Sequence, residues 1–177
     1  MIAEVMQALM PGAQAYGLRA DQLLAVIEGC QMDLTQTRYL DRMGLERYAH
    51  LVAGVVGEVS ARIFGQTDES TTAYAHRLGL AFQWTNILRD VGEDALRGRI
   101  YLPLDELRQF GVNPADILNA REGEGFQELM QFQIDRAQRF YQQAFDQLPD
   151  ADRPRHGDRH LGQSANTGGE RAGHQLE

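Results

Sequence analysis

Gln83-Trp84-Thr85-Asn86-Ile87-Leu88-Arg89-Asp90-Val91-Gly92-Glu93-Asp94, followed by Arg97-Gly98-Arg99-Ile100-Tyr101-Leu102-Pro103, is the stretch from which fold and chemistry are read. At helical pitch Gln83, Asn86, Asp90 and Asp94 share one face, with Glu93 beside them and Arg89 and Arg97 flanking. Two carboxylates one turn apart repel modestly in water but chelate a divalent cation placed between them, and Asn86 adds a neutral oxygen a turn earlier. Such hard ligands suit magnesium, which keeps several waters and takes one or two carboxylates plus phosphate oxygens. The bland alternative is a solvated helix face. Against it, Arg97 and Arg99 follow at once, and a cation with guanidinium groups is what a departing diphosphate needs.

Working upstream, Tyr74, Leu78, Ala81, Phe82 and Leu88 recur at helical intervals behind the capping candidates Asp68 and Ser70, so a helix is predicted from Ser70 to about Ala95. A second is predicted over residues 45–64, where Tyr48, Val52, Val55, Val56, Val59 and Ile63 hold the same spacing and Gly65 supplies a stop. Ala53, Gly54 and Gly57 within it permit close approach of another helix or a ligand. Residues 1–29 read as two short helices split at Pro11 and Gly12, the second capped by Asp21. Downstream, Arg97 to Pro103 reads as a loop and Leu104 to Phe110 as a short helix. Asn113-Pro114 caps another short helix, and Phe126 to Leu148 forms a long amphipathic one. No segment alternates as a strand does, so the expected class is all-α with helices around one core. Residues 153–177 are Gly- and His-rich and poor in apolar residues, and are expected to be disordered. His156 and His160 there have the spacing of a helical metal pair but nothing beside them to build a rigid site.

A chain of 177 residues with 43% hydrophobic and 24% charged residues is sized for one globular domain. Its formal net charge of -8 argues against a nucleic-acid partner. Cys30 is the single cysteine, and the N-terminus carries no signal-peptide pattern, so a cytosolic location is expected. The longest apolar run, Leu51 to Val56, is far short of the roughly 20 residues that span a bilayer.

The Gln83–Pro103 stretch resembles the second aspartate-rich motif of squalene and phytoene synthases. Tyr48 to Gly57 is similar to the tyrosine-containing helix motif of the same family, with Ala49 where cysteine is frequent. Gln31-Met32-Asp33-Leu34 through Thr37-Arg38-Tyr39-Leu40 most resembles the bacterial presqualene diphosphate synthases of hopanoid biosynthesis. The resemblance covers about residues 15–152, and implies an isoprenoid-synthase-type helical bundle, incomplete here, as a partial domain over residues 1–152. It implies head-to-head condensation of two farnesyl diphosphates to presqualene diphosphate with magnesium as cofactor. A phytoene or hydroxysqualene synthase is the alternative within the family, and a non-catalytic helical binding module the alternative outside it.

Carried over to this sequence, the resemblance has Asn86, Asp90 and Asp94 hold magnesium. Gln83 and Arg89 shape the diphosphate site, and Arg97 or Arg99 pairs with phosphate. Tyr48 faces the reacting carbons, where its ring or hydroxyl steadies a cation or assists proton removal; a buried structural tyrosine is an equal alternative for Tyr48 and for Tyr101. Val52, Ala53 and Val56 wall the isoprenoid chains or simply fill the core. A monomer is expected, and oily substrates make peripheral membrane contact reasonable, although no lipidation motif or basic amphipathic helix supports it. The family carries another aspartate-rich motif on an early helix, whereas here no D-x-x-x-D precedes Tyr48, and Asp33 and Asp41 do not form that pair. The expectation is therefore a truncated or frame-shifted product, inactive as an isolated chain.

Overall fold

Caps and glycines set the helix limits. The computed structural model describes residues 2–66 and 68–149, so the expectations for the tail at 153–177, including His156 and His160, lie outside the described residues. The chain runs through α1 (Ile2–Ala15), α2 (Ala20–Thr35) and α3 (Arg42–Ala49), which passes without interruption into a π-turn at His50–Gly54 and then α4 (Val55–Ile63). It continues through α5 (Glu69–Arg89), α6 (Val91–Leu96), α7 (Leu104–Gln109), α8 (Pro114–Leu118) and α9 (Phe126–Gln147). Among the described residues the nearest thing to a sheet is an isolated bridge between Arg38 and Ile100, which agrees with the all-α expectation. None of their helices is long and apolar enough to cross a membrane.

The proposed caps at Asp68 and Asn113 form: Asp68 accepts the Ser70 N–H at 2.7 Å and Asn113 the Ala115 N–H at 2.9 Å, with Pro114 at the first helical position. Other expected limits shift. Pro11 does not divide the N-terminal helix: α1 runs through it to Ala15, and Tyr16 N–H still closes onto Gly12 O at 3.0 Å at the helix end. The stop comes at Gly17, whose φ of +62° suits glycine. Arg19, not Asp21, precedes α2, and Asp21 pairs with it from the first turn at 2.7 Å. The helix expected from residue 45 starts earlier, at Arg42, because Asp41 accepts the Gly44 N–H at 2.8 Å.

Helix α5 is the hub, packed against α9 on one side and against α3, the π-turn and α4 on the other. On the second side the backbones touch. A Cβ at Gly57 would lie 2.2 Å from the Ala75 carbonyl oxygen, and one at Gly79 would lie 2.3 Å from that of Ala53, so both positions exclude any side chain. The small residues of the 45–64 segment thus serve close helix packing.

The core joins Tyr39, Leu45, Tyr48, Trp84, Leu102 and Leu129. Through it runs a buried polar tie. Arg136 of α9 makes a two-pronged pair with Glu106 of α7, at 2.6 and 2.8 Å. Gln133 donates to the same carboxylate and accepts from Trp84 Nε1 of α5 at 3.2 Å. The guanidinium also lies over the Trp84 and Phe132 rings, 5.5 and 4.7 Å from their centroids. Removing one partner leaves a buried charge alone. Arg136→Met is expected to lower the unfolding free energy by about 3 kcal/mol, and Glu106→Gln in the same chain to restore part of it, as measured by urea denaturation.

Candidate functional site

The helix predicted through Ala95 turns at Asp90, whose φ of -98° and ψ of 9° end α5 and begin α6. The backbone ladder nevertheless continues across it, with Asp90 N–H to Asn86 O at 2.9 Å and Asp94 N–H to Asp90 O at 2.8 Å. Asn86, Asp90 and Asp94 therefore keep their one-turn spacing in spite of the break. Beyond Asp94 the chain reverses through Gly98, at φ +71°, with Arg99 N–H returning to Asp94 O at 2.8 Å.

The two carboxylates differ in environment. Asp90 receives Arg89 through both oxygens at 2.7 Å, and this hydrogen-bonded guanidinium holds its carboxyl below the usual range. Asp94 has 17% of its side chain exposed, and burial first, then the charge of Asp90, pushes its carboxyl above the usual range. Arg97, 3.9 Å from Asp94 and 3.8 Å from Glu93, and after it Arg99 offset this only in part. A carboxylate disfavoured by desolvation and by a like charge is one that a bound cation relieves. Among the described residues no group of three His, Cys, Asp or Glu side chains is arranged to hold a metal ion. Two carboxylates and an amide oxygen suit instead a cation that takes its remaining ligands from water and phosphate, as magnesium does.

Between α4 with its π-turn and α5 lies an apolar groove of about 790 Å³. Val52, Ala53 and Val56 line it from the π-turn and α4, and Phe82, Gln83 and Asn86 from α5; the polar side chains of Ser60, Gln66, Asp68 and Thr71 line it as well. The structure thus brings together the expected wall residues and the first two residues of the polar stripe. Asp90 and Asp94 follow along the chain.

Tyr48, Arg99 and Tyr101 are placed elsewhere. Tyr48 is 4% exposed and outside the groove lining. Its hydroxyl donates to Asp33 Oδ2 at 2.9 Å, and the Tyr101 hydroxyl donates to Asp33 Oδ1 at 2.7 Å. Arg99, expected to pair with phosphate, donates through Nη1 to Asp33 Oδ1 and to Tyr101 Oη, each at 3.1 Å, and through Nη2 to the Asp33 carbonyl. The rings of Tyr39, Tyr48 and Tyr101 pack mutually with centroids 5.5 to 5.6 Å apart. Burial and the hydrogen bonds to Asp33 raise the Tyr48 and Tyr101 hydroxyls above the ordinary phenol value. Asp33 is the residue that sequence reasoning missed. It sits at the end of α2 as an isolated carboxylate with no periodic partner, and only the folded chain brings it to Tyr48, Arg99 and Tyr101.

That convergence rests on an extended segment. Ile100 N–H bonds to Thr37 O at 3.1 Å, Leu104 N–H to Tyr39 O at 2.9 Å, and Asp105 N–H to Leu40 O at 3.1 Å. The run after Asp33 is thereby laced to the run after Asp94.

A family model described as squalene/phytoene synthase matches residues 1–158. The chain belongs to the squalene/phytoene synthase family. It is 45% identical over 129 residues to the phytoene synthase of Arthrospira platensis, covering 66% of this chain and 42% of the relative. It is 42% identical over 149 residues to the 15-cis-phytoene synthase of Synechococcus elongatus, covering 77% and 48%. In fold it resembles the squalene synthase HpnC of Alicyclobacillus acidocaldarius, with a TM-score of 0.73, 28% identity, and coverage of 80% of this chain and 54% of that one. It also resembles a dehydrosqualene synthase solved in complex with a ligand, with a TM-score of 0.66, 30% identity, and coverage of 71% and 44%. This member of the family spans a little under half the length of those two curated relatives.

Because the charge of Asp90 helps raise the Asp94 carboxyl, Asp90→Asn should lower it. The raised value also means that Asp94 costs stability at neutral pH, a cost removed as pH falls from above its folded value through it. Carboxyl ¹³C NMR titration of Asp94 checks both, with a lower midpoint expected in Asp90→Asn.

Proposed function

We propose that this chain carries the diphosphate-activating half of a head-to-head prenyl condensation, of the type named in its phytoene synthase relatives. The observation that carries the reading is the apolar groove whose lining includes Gln83 and Asn86, with Asp90 and Asp94 one and two helical turns beyond Asn86 along the chain. An allylic diphosphate has these two halves, an oily chain and an anionic head.

In this reading Val52, Ala53 and Val56 wall the prenyl chain. Gln83 donates to the diphosphate, while Asn86, Asp90 and Asp94 would hold magnesium, which neutralises charge developing on the departing diphosphate. Arg89, paired with Asp90 here, would be free to meet phosphate if that carboxylate held the cation, and the exposed Arg97 would add a second positive group. Arg99, held by Asp33, orients Tyr101 and the loop rather than meeting phosphate. Tyr48 supports the groove from behind Val52, one helical turn away, with its phenol kept protonated by burial and by its bond to Asp33.

The curated relatives favour a phytoene-type product over presqualene diphosphate. The fold likeness to squalene synthase HpnC supports a squalene-type product as the second reading. Extraction separates presqualene diphosphate from both, since a hydrocarbon passes into organic solvent and a product that keeps its diphosphate does not, and the mass of the extracted hydrocarbon separates a phytoene from a squalene.

Binding tests the site directly. Pyrophosphate should bind this chain only with magnesium present, and Asp94→Ala should weaken it by about 100-fold, the worth of a charge-assisted ligand. Val56→Trp should leave pyrophosphate binding intact while weakening farnesyl thiodiphosphate by about 10-fold or more, as the ring fills the groove. Isothermal titration calorimetry measures each; magnesium-independent binding, or equal loss of both ligands in Val56→Trp, would contradict the assignment.

A further inference from the structure

Away from the polar stripe, a second cluster of titratable side chains joins the two walls of the groove. His50 Nδ1, in the π-turn, lies 2.8 Å from His76 Nε2 on α5, with the ring centroids 5.1 Å apart. Glu58 Oε1 of α4 is 4.0 Å from the same His76 nitrogen, and its other oxygen accepts from Gln22 Nε2 of α2 at 3.2 Å. Gly54 makes room for the pair, since a Cβ there would stand 2.6 Å from His76 Nε2. Ala53 and Gly57 on one wall and Ala75 and Gly79 on the other flank this contact and line the groove itself. The imidazole bond therefore sits where the two groove walls come closest.

An N···N hydrogen bond between imidazoles needs one nitrogen to donate and the other to accept. With the pair neutral, or with one extra proton balanced by Glu58, that condition is met. With both rings cationic neither nitrogen accepts, and two like charges face each other across 2.8 Å. The surrounding groups are mixed. Burial and the charges of His50 and Arg77 hold His76 below the ordinary histidine value, with Glu58 opposing. Arg62 and Glu69 line the solvent-open cleft on the outer side of His76. His50 is exposed, so protons reach the pair without unfolding.

We propose that His50 and His76 form a proton-controlled clasp between the two walls of the apolar groove, closed until both imidazoles are cationic and open thereafter. A histidine whose folded value is depressed contributes stability that is present above its unfolded value, about 6.5, and lost as pH falls through the folded value. The window is therefore mildly acid.

The double variant His50→Asn, His76→Gln tests this, because the Asn amide stands near Nδ1 and the Gln amide near Nε2, which keeps an uncharged bond that does not titrate. Between pH 7.5 and 5.0 the wild-type melting temperature should fall by about 5 °C more than that of the double variant. The other histidines are common to both proteins and cancel. Parallel melting curves would overturn the clasp. A second measurement on the wild type holds even where the double variant does not fold. Imidazole ¹⁵N shifts should show two separate protonation steps, the lower one moving together with the Ala53 and Gly79 amides. Two independent titrations near 6.5 with unmoved amides would overturn it equally.

Discussion

The contact between α5 and the π-turn with α4 is made backbone to backbone, and the rest of the molecule is arranged around it. Carbonyl oxygens of Ala53 and Ala75 occupy the space that side chains at Gly79 and Gly57 would need. Close approach at these points brings the facing rows of side chains near enough to bound one groove rather than two separate surfaces. It also puts Gln83 and Asn86, the first two residues of the polar stripe, in the lining of that groove. Substituting either glycine forces the backbones apart, and with them the walls at Val56 and Phe82.

A second constraint acts from the opposite side of the stripe. Asp33 gathers two phenols and a guanidinium that lie far away in sequence, while the run from Thr37 to Leu40 bonds to the loop after Asp94. Asp33 neutralises Arg99, and this leaves Arg97 and Arg89 as the exposed cations beside the carboxylates.

Helix existence was legible in the pattern of apolar residues because burial of one face imposes a period near 3.6 whatever the partner is. Hence α7, α8 and α9 lie where periodicity and caps place them, as does the start of α5, whose end falls at Arg89 and not near Ala95. Limits set by a single hydrogen bond were less legible: Pro11 looked like a break and Asp21 like a cap, yet the stop is a left-handed glycine at Gly17. The π-turn left no mark in the periodicity, since it inserts within a continuous helix. Its position answers to the close approach of α5 and to the two histidines, both facts of packing.

The amino-acid sequence by itself determined an all-α chain with a carboxylate, amide and guanidinium stripe, because residues one turn apart share a face without help from the rest of the fold. Membership of the squalene/phytoene synthase family was legible in the same short motifs. Only the tertiary structure decided that Val52, Val56, Gln83 and Asn86 share one groove, that Arg99 answers to Asp33, and that His50 meets His76. Those pairings join residues 26 to 66 positions apart. No local periodicity encodes such a pairing; it follows from which helices pack together and how closely their backbones can approach.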